Sequence, residues 1–93
     1  MPFTVYILYS SKHNKIYIGY TSNLIQRFYS HNHLGKDGYT SKFRPWAVIY
    51  TETIEEKSDA MKREKQLKSA NGRSWIWEKI ATELNEHGFI SAG

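Results

Sequence analysis

The chain opens on a run dominated by β-branched and aromatic residues, Phe3-Thr4-Val5-Tyr6-Ile7-Leu8-Tyr9, which predicts a strand over Phe3–Tyr9. Ser10 to Lys15 is polar and turn-like, and Ile16 to Tyr20 returns to strand-forming residues. The short polar link makes the two strands an antiparallel hairpin. Thr21 and Ser22 are both good helix N-caps. From Asn23 to about His33 the apolar residues Leu24, Ile25 and Phe28 fall at helical spacing. Gly35, Asp37 and Gly38 break that pattern into a loop reaching about Lys42, Pro45 closes it, and Trp46 to Glu52 predicts a third strand. A second helix begins around Glu55 to Ser58, with acidic residues in its first turn where the macrodipole favours them, and runs to about Ser69. Asn71-Gly72 reads as a turn. A third helix covers Ser74 to Glu86 with Trp75, Ile76, Ile80 and Leu84 as its buried stripe, Gly88 as its cap, and a loose tail in which Phe89 and Ile90 are able to dock.

The order ββαβαα describes a small α+β protein, a three-stranded antiparallel sheet flanked by helices. Its 93 residues make one domain, with a core over 3–81 and a tail over 88–93. Fourteen aromatic residues within a hydrophobic content of 40% suffice for one compact core. The absence of cysteine excludes disulfides and thiolate metal sites. No apolar run approaches the roughly 20 residues of a membrane span, and the N-terminus has no signal-peptide pattern. The expectation is a soluble, cytoplasmic monomer.

Charge adds a partner class. The net charge of +4 is uneven: residues 1–73 hold twelve Lys/Arg against six Asp/Glu, and residues 74–93 hold one against three. A basic body with a mildly acidic end suits a polyanion, although a basic surface also serves ordinary solubility.

Three groups of residues stand out from the pattern. Glu64 lies four residues after Ala60 and three before Leu67, so it shares their helical face. A carboxylate drawn towards apolar surface must be paired or must bind a metal; periodicity alone favours a salt bridge at the core edge. Arg27 and His31 stack one turn apart. Arginine suits a phosphate because its planar fork donates two parallel hydrogen bonds, while the plainer account has Arg27 pairing with Glu64 and His31 on the surface. Tyr6 and Tyr17 sit on the hairpin strands, where tyrosines normally pack; Gly19 beside Tyr17 marks close approach of a ligand or another backbone.

Taken together the strings Val5-Tyr6-Ile7-Leu8, Lys15-Ile16-Tyr17-Ile18-Gly19-Tyr20-Thr21, Leu24-Ile25-Gln26-Arg27 with His31-Asn32, Tyr39-Thr40 with Arg44-Pro45, and Ala60-Met61-Lys62-Arg63-Glu64-Lys65-Gln66-Leu67-Lys68 resemble the GIY-YIG endonuclease family in its small stand-alone bacterial type. The resemblance runs from about Phe3 to Lys68, more weakly to Ala81. It implies DNA cleavage with one divalent metal, Mg²⁺ or Mn²⁺. It assigns the metal to Glu64, a phosphate contact to Arg27, the general base to Tyr17, support of the water to Tyr6, a place near the reacting phosphate to His31, and room beside the hairpin to Gly19. The first motif reads Thr4-Val5-Tyr6, Tyr20 stands where some members carry lysine, and Ile76 stands where many carry asparagine.

DNA would be held through its phosphates, with Lys12, Lys15, Lys36, Lys42 and Arg44 in hairpin and loop, and Lys62, Arg63, Lys65 and Lys68 on the second helix. Such contacts carry little sequence information. Tyr39, Phe43 and Trp46 are candidates to stack on unpaired bases, Trp46 being better suited to the core. The expected substrate is branched or single-stranded DNA chosen by structure, with RNA left open. The main alternative is a nucleic-acid-binding module with little or no catalysis. A further one is a docking domain using an exposed Trp77.

Overall fold

The computed structural model describes residues 2–33 and 38–86, with the side chains of 84–86 left aside. Gly35, Lys36, Asp37, Gly88, Phe89, Ile90 and the side chain of Leu84 therefore lie outside the described residues. The expected ββαβαα order is present: β1 (Phe3–Ser10), β2 (Lys15–Thr21), α1 (Leu24–His33), a short α2 (Tyr39–Lys42), β3 (Ala47–Ile54), α3 (Lys57–Lys68) and α4 (Ala70–Glu86). The strands form one antiparallel sheet in the order β2-β1-β3.

β1 is the central strand and is buried from Val5 to Ser10. Because strand side chains alternate between faces, it supplies two cores. Val5, Ile7 and Tyr9 join Ile18 and the helical residues Ala60, Leu67, Ile76 and Ile80 on one face. Tyr6 and Leu8 join Trp46 on the other, with Tyr17, Leu24, Phe28 and Phe43 packed around them. The first face is thus covered by α3 and α4 and the second by α1 and the α2 segment.

Several local expectations are corrected. The N-cap of α1 is Asn23, whose Oδ1 accepts the Gln26 N–H at 3.1 Å, while Thr21 Oγ1 accepts the Asn23 N–H at 3.1 Å. Tyr39–Lys42, expected as loop, forms one helical turn.

Asn71-Gly72 is not a turn between helices. Only Ser69 separates α3 from α4, and it serves both: its hydroxyl donates to Gln66 O at 2.6 Å and accepts the Gly72 N–H at 3.2 Å. Its carbonyl accepts the Arg73 N–H at 2.9 Å. Gly72 lies in the first turn of α4, where a Cβ would fall 2.6 Å from Leu67 Cα. The glycine allows two helix backbones to touch rather than bending the chain.

The tryptophans of α4 also exchange their expected places. Trp75 is 40% exposed and meets the Tyr50 ring edge-on at 5.2 Å. Trp77 packs against the core and meets Tyr9 edge-on at 6.2 Å. Ile76 and Ile80 set the inward direction of α4, and Trp77, three residues from Ile80, shares that side whereas Trp75 does not. On α3 the same argument leaves Met61 exposed while Ala60 and Leu67 are buried. Among the described residues no helix is long and apolar enough to cross a membrane.

Candidate active site

The site begins with Tyr6 on β1. Its ring is fully buried and lies against its register partner Gly19 on β2. A Cβ on Gly19 would come within 2.6 Å of the Tyr6 hydroxyl oxygen. Gly19 therefore leaves room for Tyr6 itself.

Once capped by Asn23, α1 sets Arg27 and His31 one turn apart on the side facing the sheet. His31 is buried at 5% exposure, not a surface residue. Its Nε2 lies 2.9 Å from the Tyr6 hydroxyl. The exposed guanidinium of Arg27 interacts with the hydroxyls of both Tyr6 and Tyr17, which raises the arginine pKa. The Tyr17 ring lies 4.6 Å from His31 and 6.3 Å from Tyr6, centre to centre. Two tyrosines, a histidine and an arginine from three elements thus form one cluster.

The electrostatics divide the roles. Burial pushes the Tyr6 pKa up to about 12, against the opposing influence of Arg27. Burial first, then the positive charges of Arg27 and Arg44, holds His31 below the usual imidazole range, so its ring is neutral at neutral pH. A guanidinium only donates, so beside Arg27 the Tyr6 hydroxyl is suited to give its proton to His31 Nε2. That direction corresponds to the Nδ1–H tautomer of the neutral ring.

Glu64 is carried on α3, which packs against β2 and β1. Its side chain is 20% exposed, and Oε1 lies 3.2 Å from Lys68 Nζ one turn on. Its negative charge is near enough to contribute to the rise in the Tyr6 pKa. The expected alternative pairing with Arg27 is replaced by this intrahelical pair. Among the described residues no three His, Cys, Asp or Glu side chains gather to hold a metal ion. A half-buried single carboxylate fits Mg²⁺ in the mode where the cation keeps several waters and takes its remaining oxygens from a phosphate.

The basic residues disperse. Lys12 and Lys42 are exposed on the hairpin tip and on α2. Lys15 Nζ lies 5.4 Å above the Phe43 ring, and His13 packs edge-on against the same ring. Lys68 is beside Glu64. Arg44 is turned to the end of α1, its Nε donating to His31 O at 2.7 Å and Nη2 to Ser30 O at 3.4 Å. Arg63 binds Glu52 on β3 with both carboxylate oxygens, the shortest contact being 2.8 Å, and Glu52 in turn accepts from Tyr50. Arg63 thereby acts as a strut between α3 and β3. Trp46 is 3% exposed and belongs to the core.

Supporting residues went unread in the sequence. Asn32 clamps the backbone of Trp46, accepting its N–H at 2.7 Å and donating to its carbonyl at 3.1 Å. Trp46 Nε1 donates to Thr40 O at 2.8 Å. These bonds lock the end of α1, and so His31, to the start of β3. The only available signal was Asn32 following His31 in the motif string.

Comparison with known proteins shows the family of the chain. The family model for the GIY-YIG catalytic domain matches residues 2–79. A UPF0213 protein of Staphylococcus haemolyticus is 42% identical over 66 residues, covering 70% of this chain and 78% of that one. One of Natronomonas pharaonis is 37% identical over 65 residues, with 70% and 75% covered. The solution NMR structure of a UPF0213 protein from Bacillus halodurans superimposes with a TM-score of 0.50 at 28% identity, covering 84% of each chain. The hairpin tyrosines, the arginine of α1 and the glutamate of α3 all fall within the matched span, and the chain belongs to the GIY-YIG catalytic domain family.

Proposed function

We propose that this protein is an endonuclease that hydrolyses DNA phosphodiester bonds with the help of a divalent cation, choosing its substrate by structure rather than sequence and acting as a cytoplasmic monomer. The observation that carries the reading is the convergence of Tyr6, Tyr17, Arg27 and His31 in one cluster around the Tyr6 hydroxyl, with the Glu64 carboxylate close enough to act on Tyr6.

Each side chain has a distinct task. Glu64 would hold Mg²⁺ or Mn²⁺, which supplies Lewis-acid polarisation of the phosphate and neutralises the leaving oxygen. Arg27 donates to the non-bridging oxygens, whose charge grows in the transition state. Tyr6, protonated far above neutrality, is unsuited to be the base and instead orients Arg27. His31 accepts the Tyr6 proton and holds that ring in place. Tyr17, half-buried beside the guanidinium, is left as the base: in its phenolate form, with Arg27 balancing the negative charge, it would take the proton from the attacking water and become the neutral phenol. The basic surface holds the flanking phosphates.

The test is nicking of supercoiled plasmid and cleavage of branched and single-stranded oligonucleotides with Mg²⁺ or Mn²⁺, comparing wild type with Glu64→Ala. Cleavage by wild type alone supports the enzyme. The Lys68 ammonium at 3.2 Å from Glu64 favours the second reading, a nucleic-acid-binding module in which lysine permanently neutralises the carboxylate; binding without cleavage under every metal condition establishes that one.

A further inference from the structure

Beside the catalytic cluster lies a groove of about 410 Å³ along β2, an edge strand of the sheet. It shares Tyr17 with the cluster and Lys68 with the Glu64 ion pair, and leads away from them to Lys15, Arg73 and Trp77, with Tyr39 also lining it. Three of these residues are cations, and none of the lining residues is acidic. Three others are aromatic. They come from four elements: Lys15 and Tyr17 from β2, Tyr39 from α2, Lys68 from α3, and Arg73 with Trp77 from α4.

The walls are braced rather than incidental. Tyr39 donates its hydroxyl proton to Ile16 O at 3.1 Å, tying α2 to β2. Arg73 Nε donates to Lys68 O at 3.1 Å, so its guanidinium is anchored at the end of α3. Trp77 is fixed edge-on against Tyr9. At the head of the groove Tyr9 donates to Asn14 Oδ1 at 3.0 Å, which holds the hairpin turn where Asn14 takes φ 53°.

A concave path that combines positive charge with braced aromatic faces suits a single nucleic-acid strand, because phosphates meet the cations while unpaired bases, all of which have a π-face, find rings to stack on. A duplex keeps its bases stacked on one another and offers the groove only phosphates. We infer that this groove takes an unpaired strand flanking the bond to be cut, with phosphates on Lys15, Lys68 and Arg73 and a base against Trp77 and Tyr39. Arg73 and Trp77 then act as substrate-positioning residues, and the preference for a single-stranded flank resides in α4 and β2 rather than in the hydrolytic cluster. The inference rests on the nuclease reading only for the cut bond; the binding it describes does not need cleavage.

The experiment is fluorescence anisotropy of the full chain in EDTA, so that hydrolysis plays no part. The probes are a labelled duplex, the same duplex with a four-nucleotide single-stranded overhang, and that overhang made abasic. Stacking on a protein ring is worth on the order of 5- to 100-fold per base, so the overhang should tighten binding by at least the lower figure and the abasic version should lose most of that gain. Lys15→Gln and Arg73→Gln should each diminish the gain and reduce the salt slope for the overhang probe by about one phosphate contact. Trp77→Phe, which preserves an apolar ring for the core, should shrink the gain while Trp75→Phe leaves it intact. Circular dichroism of each variant confirms the fold. An overhang without effect, or a gain that survives Lys15→Gln and Arg73→Gln together, overturns the inference; so does an abasic overhang that binds as well as the normal one. Loss of the nuclease reading looks different: the overhang gain persists while no metal supports cleavage.

Discussion

Gly19 and Tyr6 face each other across the β1–β2 ladder so closely that a single methyl group on Gly19 would overlap the tyrosine hydroxyl, at 2.6 Å from its oxygen and 2.8 Å from the ring carbon that bears it. The Tyr6 ring cannot simply swing aside, since it is 1% exposed and its hydroxyl is committed to His31. Gly19→Ala is therefore expected to destabilise the fold by roughly 1–3 kcal/mol, the usual range for overpacking, and to displace Tyr6 from His31. Thermal unfolding and the His31 ring resonances in NMR check this; an alanine variant with unchanged melting and unchanged His31 shifts would contradict it.

The two hairpin tyrosines are expected to separate in a way their sequence positions do not suggest. Tyr6→Phe keeps the ring but leaves buried His31 Nε2 without its hydrogen-bond partner, a loss of about 1–3 kcal/mol of stability, with weakened catalysis through a misplaced Arg27. Tyr17→Phe removes only the hydroxyl of a half-buried ring. It should melt close to wild type yet slow cleavage by about 10²–10⁴-fold, the range for a lost general base. Paired melting curves and single-turnover rates decide the matter. Equal rates for Tyr17→Phe and wild type would remove Tyr17 from the base role.

His31 gives the protein an acid-side sensitivity. Burial and the nearby cations Arg27 and Arg44 depress its pKa below the reference value of 6.5. The folded state therefore binds fewer protons than the unfolded chain below that value, so stability is full above about pH 6.5 and declines as pH falls towards the lowered folded pKa. Protonation also makes both ring nitrogens donors, so His31 can no longer accept from Tyr6. Melting temperatures measured from pH 8 down to 5 should fall more steeply for wild type than for His31→Gln, which has no imidazole to titrate. Parallel curves would show that His31 titrates normally.

At the α3–α4 junction the expected effects follow from one contact. Gly72→Ala places a Cβ 2.6 Å from Leu67 Cα, which is backbone and cannot move as a side chain end would. The cost should exceed that of Ser69→Ala, which loses a helix cap worth about 1 kcal/mol. Chemical denaturation of both variants tests the ranking, and a Gly72→Ala protein as stable as Ser69→Ala would invert it.

Much of the candidate site's geometry was legible because it is written in short strings. β-branched runs announced the hairpin that carries Tyr6 and Tyr17, helical spacing placed Arg27 and His31 together, and periodicity put Glu64 near the face of Ala60 and Leu67. Residues whose roles depend on contacts distant in sequence were not legible. Asn32 serves Trp46 across fourteen positions, and Arg44 serves the end of α1 across thirteen, although composition suggested that the arginine faces DNA. Asn71-Gly72 misled for the same reason, since glycine answers equally to a turn and to a helix contact, and only the position of Leu67 distinguishes them.

The central position of β1 has a consequence for how the candidate site comes into being. β1 meets β2 across a few residues of turn, whereas it meets β3 only after α1 and α2 have intervened. Local pairings close quickly and distant ones must first overcome the entropy of a long loop. The hairpin bearing the two tyrosines is thus expected to assemble early on the folding pathway, and the enclosure of His31 and Trp46 late. Trp46 burial, followed by stopped-flow fluorescence in a chain with Trp75 and Trp77 replaced by Phe, should lag behind hydrogen-exchange protection of the β1–β2 amides. The nascent chain would then pass through a stage that has its tyrosines in register but not yet closed in by His31 and Trp46, so the proposed chemistry would wait on the last steps of folding.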